Sequence, residues 1–202
     1  MPIETPEPPQ PSIDALQAVL PALMGSAGIR QSAPIFAAGL VSSPRGLSSP
    51  GLSYPVYLLG LDSVATGKGL AKAKLSAWRH EFSSGEEVVT AEVSAGKQPR
   101  FAGLNVNSRF RSVSQELRAA TESGKGFADQ SHQPRLLQIS ALGLRALWLK
   151  SSQGSRGDVV IPLAPTRPEL TANRHYSPAE FIAALKPAAE LLLRDDEPGK
   201  GA

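Results

Sequence analysis

Acid–base chemistry needs a histidine or carboxylate within hydrogen-bond reach of the proton it moves. The densest such group in this sequence is His80 beside Glu81, with Glu86 and Glu87 following across a turn. Neighbouring side chains on an extended strand point to opposite faces, so His80 and Glu81 do not act together. The pattern predicts a solvated or half-buried imidazole rather than a general base. His132 and His175 stand far away in sequence, and no two histidines have the i, i+4 spacing that puts a pair of metal ligands on one helical face. There is no cysteine. Thiol nucleophiles, Cys-ligated zinc, iron–sulfur clusters and disulfide frameworks are therefore excluded. The sequence predicts no catalytic residue, no metal site and no cofactor.

Three short matches to known chemistry fail on their details. A phosphate-binding loop places four residues between a Gly and Gly-Lys-Ser/Thr, so that backbone donors wrap the phosphates. Gly60-Leu61-Asp62-Ser63-Val64-Ala65-Thr66-Gly67-Lys68-Gly69 has the wrong spacing and lacks the final hydroxyl. A nucleophile elbow reads G-x-S-x-G, whereas Gly51-Leu52-Ser53-Tyr54-Pro55 ends in proline. Arg156-Gly157-Asp158 matches an integrin-binding tripeptide, in a Gly- and Ser-rich context that reads as ordinary turn chemistry.

Charge is distributed unevenly along the 202 residues, whose formal net charge is +3. Residues 1–29 carry three acids and no Lys or Arg, while residues 30–175 carry 18 basic and ten acidic side chains. Lys68, Lys72 and Lys74, with Arg109 and Arg111, are candidate anion or nucleic-acid contacts on this basic body. Interspersed acids and an aromatic content of 5% weigh against single-strand stacking. No apolar run reaches the length of a membrane-spanning helix. The acidic, Pro-rich N-terminus lacks the basic start of a signal peptide, so a cytoplasmic location is expected. Richness in Ala, Leu, Gly, Pro and Arg suggests a bacterial chain.

Elements that would position these residues follow from periodicity. Five prolines in residues 1–11 predict a disordered arm. Ser12 caps an amphipathic helix over residues 12–31, whose stripe Ile13, Leu16, Leu20 and Leu23 is a candidate partner-docking face. Pro21 should kink or end that helix. Residues 32–53 read as a Ser/Pro/Gly linker. Residues 54–61 read as a short, apolar, β-favouring strand, 74–82 and 86–94 alternate as two strands of a hairpin, and residues 100–104 suit another antiparallel strand. A helix starting near Asn107 runs to Gly124, a polar loop covers 124–134, and 136–150 holds two strands or one bent strand. After a strand at 158–164, Ser177-Pro178-Ala179-Glu180 is a capping box that opens the C-terminal helix. Residues 195–202 form a flexible acidic tail.

The expected fold is α+β: an antiparallel sheet of about six strands with two helices on one face, preceded by the N-terminal helix and linker. Residues 54–194 read as one domain. No motif assigns the chain to a family. The expected function is a non-enzymatic binding or accessory module with a protein partner. Nucleic-acid binding through the basic body, or an enzyme whose site is assembled from loops, are the alternatives.

Overall fold

The computed structural model describes residues 3–25, 51–84, 87–106, 113–122 and 131–195. Seven strands form a mixed sheet: β1 (Leu52–Leu58), β2 (Lys74–Ser84), β3 (Glu87–Ser94), β4 (Phe101–Val106), β5 (His132–Ile139), β6 (Leu144–Ser151) and β7 (Val159–Pro162). Their order is β4-β3-β2-β1-β5-β6-β7. Four α-helices accompany them: α1 (Gln10–Gly25), α2 (Leu61–Ala65), α3 (Val113–Glu122) and α4 (Pro178–Asp195). The α+β class is as expected. The strand number and the purely antiparallel arrangement are not. Hairpin turns reveal consecutive strands, but β1 neighbours β5, and such a crossover leaves no local sequence signature.

The residues divide into two compact units. The first comprises residues 1–4, 57–75 and 116–202. Its β5 and β6 pair antiparallel from His132↔Ser151 to Ile139↔Leu144, and β7 adds to β6 through Ala146↔Pro162 and Leu149↔Val159. One face of these strands carries Leu137, Ile139, Leu144, Ala146, Trp148 and Val160. They share a core with Phe181, Ile182, Leu185 and Ala189 of α4 and with Val64 and Ala65 of α2. Phe181, Leu185 and Ala189 are fully buried, and their spacing is one helical stripe. The capping box closes as the sequence predicts: the Glu180 carboxylate accepts from the Ser177 amide at 2.8 Å, and the Ser177 hydroxyl accepts from the Glu180 amide at 3.2 Å. The helix runs through Pro187. At the other end of the chain, Ile3 forms a parallel bridge with His132, and the Glu4 amide donates to the His132 carbonyl.

The failed phosphate-loop match is the short helix α2. Thr66 ends it, its hydroxyl donating to the Asp62 carbonyl at 2.6 Å. Gly67 follows in the left-handed region at φ 66°, where a side chain would be strained.

The second unit comprises residues 5–56 and 76–115. β2 and β3 pair antiparallel up to Ser84↔Glu87, which bears out the predicted hairpin, and β4 pairs with β3 around an irregularity at Glu92/Val93. One face presents Trp78, His80 and Phe82 opposite Val93, Ala91 and Val89. Helix α1 packs on β3 and β4, burying Ser12 and Leu16. It begins two residues before the predicted cap and continues past Pro21 to Gly25. Residues 26–31 of the predicted helix lie outside the described residues.

Two boundaries need correction. β1 starts at Leu52, inside the stretch read as linker, and β5 starts at His132, inside the stretch read as polar loop. Each carries a polar residue that composition assigns to a loop, but Ser53 and His132 are buried here with their side chains hydrogen-bonded.

Candidate functional site

The β5–β6 connection is a 3-10 turn, Ser140–Leu142, ended by Gly143 at φ 60°, a conformation that glycine adopts without strain. This turn fixes the register in which Arg135 lies opposite Trp148. The Arg135 guanidinium carbon sits 4.9 Å from the ring centres of both Tyr57 and Trp148. The two rings meet edge to face, 5.4 Å apart at 72°. Contacts of this kind attract a cation to the ring face by about 0.5–2 kcal/mol each. The Nε of Arg135 is buried without a hydrogen-bond partner. Among the described residues Arg135 makes no ion pair.

Trp148 is itself held in place. Its indole N–H donates to Asp158 Oδ2 at 3.0 Å. Asp158 is 4% exposed, and it also accepts from Lys150 Nζ at 3.1 and 3.3 Å and from the Ser151 amide at 3.0 Å. Both carboxylate oxygens are thus used. The acid of the Arg156-Gly157-Asp158 tripeptide is therefore committed inside the unit. His132 is 2% exposed, and its Nε2 donates to the Gly157 carbonyl at 3.0 Å, a tautomer fixed by that acceptor.

In the second unit His80 is fully buried, which corrects the expected solvated or half-buried imidazole. Its Nδ1 lies 3.0 Å from the Ser53 hydroxyl and its Nε2 lies 3.2 Å from the Ser12 hydroxyl. Desolvation lowers its pKa from the ordinary 6.5 to about 4, so the ring is neutral near pH 7. No acid takes part in this arrangement: Glu81 points to the other face, where one oxygen accepts from the Ser114 hydroxyl and the other is buried without a partner. Glu87 pairs with Ser84, four residues along the strand from His80, and Glu86 lies outside the described residues. Arg79 and Glu92, directly opposed on β2 and β3, form an ion pair at 2.6 Å.

The two ends of the sheet differ. Beyond β7, the backbones of Val160 and Tyr176 exchange two hydrogen bonds of 2.9 Å. β4 ends the sheet at the other side, and among the described residues no strand pairs with its outer edge. Its sequence, Phe101-Ala102-Gly103-Leu104-Asn105-Val106, has neither charge nor proline, and Ala102 and Asn105 are exposed.

The residues singled out from the sequence are placed as follows. Lys68 and Lys72 are exposed in the segment joining β1 to β2 and Lys74 is exposed at the start of β2, while Arg109 and Arg111 lie outside the described residues. In α1, Leu16 is buried and Ile13 half-buried; the side chains of Leu20 and Leu23 lie outside the described residues. Sequence reasoning missed Arg135, Tyr57 and Trp148, because only the strand register brings them together. No described helix is long and apolar enough to cross a membrane, and the described residues hold no cluster of three or more metal-ligating side chains. No protein-family model, curated protein or solved structure matches the chain.

Proposed function

We propose that this chain is a non-enzymatic binding module that receives an extended segment of a partner protein along β4. The observation that supports this reading is the contrast between the sheet edges: β7 is closed by Tyr176, and β4 is uncharged with its outer side unpaired among the described residues. An edge strand offers a row of backbone donors and acceptors, and natural proteins block such rows with lysine, proline or a cover unless they are used. Strand addition takes its affinity from main-chain hydrogen bonds and its specificity from alternate side chains. The expected partner segment is extended and apolar at alternate positions, matching Leu104 and Phe101 on the half-buried side of β4.

Gly103 provides the test. A Cβ built there meets nothing within 4 Å, so Gly103→Lys places a charge on the edge without a clash. Peptides selected from a random library on the full chain should slow hydrogen exchange at the β4 amides. Gly103→Lys, and separately Ala102→Pro, should weaken them by about tenfold or more. Peptides that protect no β4 amide, or that bind both variants as well as the parent, would refute the proposal.

A further inference from the structure

We infer that Arg135, held against Tyr57 and Trp148, is the receptor for a carboxylate group of a ligand. The inference is independent of strand addition at β4.

The first support is the state of the charge. Arginine keeps its proton throughout the physiological range, so a half-buried guanidinium needs compensation for its lost hydration. Two aromatic faces supply part of that compensation here, at 4.9 Å each. No described acid supplies the rest, and Asp158, on the same sheet face as Trp148's neighbour Lys150, is already saturated by four hydrogen bonds. Arg135 is left as a cation without a described counterion, its Nε buried and unpartnered.

The second support is geometry. The two rings, 5.4 Å apart at 72° and each 4.9 Å from the guanidinium carbon, cover two adjacent sides of the group. A planar fork of donors suits a planar carboxylate that accepts two parallel hydrogen bonds. The fork is also preorganised. Asp158 fixes the Trp148 ring through its indole N–H, the Tyr57 ring meets Trp148 edge to face, and the Arg135↔Trp148 rung fixes the guanidinium stem. Binding then costs little side-chain ordering. Lys150, a quarter exposed and two rungs away opposite Gln133, adds positive potential although Asp158 holds its ammonium.

Trp148 doubles as the reporter. In the full chain carrying Trp78→Phe, the remaining indole is that of Trp148. Its emission is followed as benzoate, succinate, inorganic phosphate or chloride is added at matched ionic strength, with calorimetry on the unmodified chain run in parallel. The expected result is a saturable change with the carboxylates and none with chloride. Arg135→Lys keeps the charge but loses the fork and should weaken carboxylate binding about tenfold, while Arg135→Gln should abolish saturation. A short peptide tested with a free and with an amidated C-terminus separates the two sources of the group. Binding of the free form alone identifies a chain end, and binding of the small acids alone identifies a free carboxylic acid. Equal responses to chloride, tighter binding of phosphate than of carboxylates, full affinity in Arg135→Lys, or no response by either method would overturn the inference.

Discussion

Asp158 and His80 are polar side chains buried to nearly the same extent, one in each unit, and the structure accommodates them in opposite ways. Asp158 keeps its charge company: an ammonium, an indole N–H and a backbone amide converge on its two oxygens. His80 gives up charge instead and sits as a neutral ring between two hydroxyls. A buried ion is tolerated where its partners are complete, and a buried titratable ring is tolerated where neutrality is cheap. Arg135 fits neither solution. That difference separates side chains whose bonding is complete within the fold from one with capacity left for a ligand.

The largest effect expected from this comparison is at Asp158. Asp158→Ala strands the Trp148 and Ser151 donors and leaves Lys150 without its counterion. It should cost about 3 kcal/mol in denaturant unfolding, with the part owed to the quarter-exposed Lys150 reduced by solvent screening. A loss below about 1 kcal/mol would mean that the hub is not structural.

His80→Gln should cost less, about 1–2 kcal/mol, because an amide can still meet both hydroxyls. Its pH dependence is the sharper test. The folded-state pKa lies below the unfolded value, so between pH 6.5 and 4 the unfolded chain binds the extra proton. The contribution of His80 is complete above pH 6.5 and is lost as pH falls towards 4. The stability difference between parent and His80→Gln should therefore shrink on acidification through that window and stay constant above it. Parallel pH profiles would refute the buried neutral ring.

The smallest effect concerns the closed sheet edge. The Tyr176 hydroxyl accepts from the Thr171 amide at 2.9 Å. Tyr176→Phe should cost about 1 kcal/mol and quicken exchange at the Val160 amide, leaving β4 exchange unchanged. Equal acceleration at β4 would dissolve the contrast between the two edges.

Local signals carried much of this architecture. The β2–β3 hairpin is legible from alternation on either side of a glycine turn, and the start of α4 from four residues of capping chemistry. What stayed hidden depends on partners distant in sequence. Ser12 and Ser53 look like a helix cap and a linker residue until β2 brings His80 between them. Arg135, Tyr57 and Trp148 meet through the pairing of β5 with β6 and the placement of β1, and no spacing in the sequence announces that. The mixed sheet was missed for the same reason, since pairing between non-consecutive strands leaves no turn to read, whereas the strand count turned on residues 136–150, which the pattern left open as two strands or one bent strand.

The bridge between Ile3 and His132 has a consequence in time. A ribosome delivers the chain from its N-terminal side, so Ile3 waits for all the residues up to His132 before its partner exists. The core around Leu137 and Trp148 waits longer still, for the Phe181, Leu185 and Ala189 stripe that covers it. While synthesis proceeds, the nascent strands of the first unit have no completed core to enter. Completion of that core consequently waits for synthesis of α4, and until then its apolar strands stay uncovered.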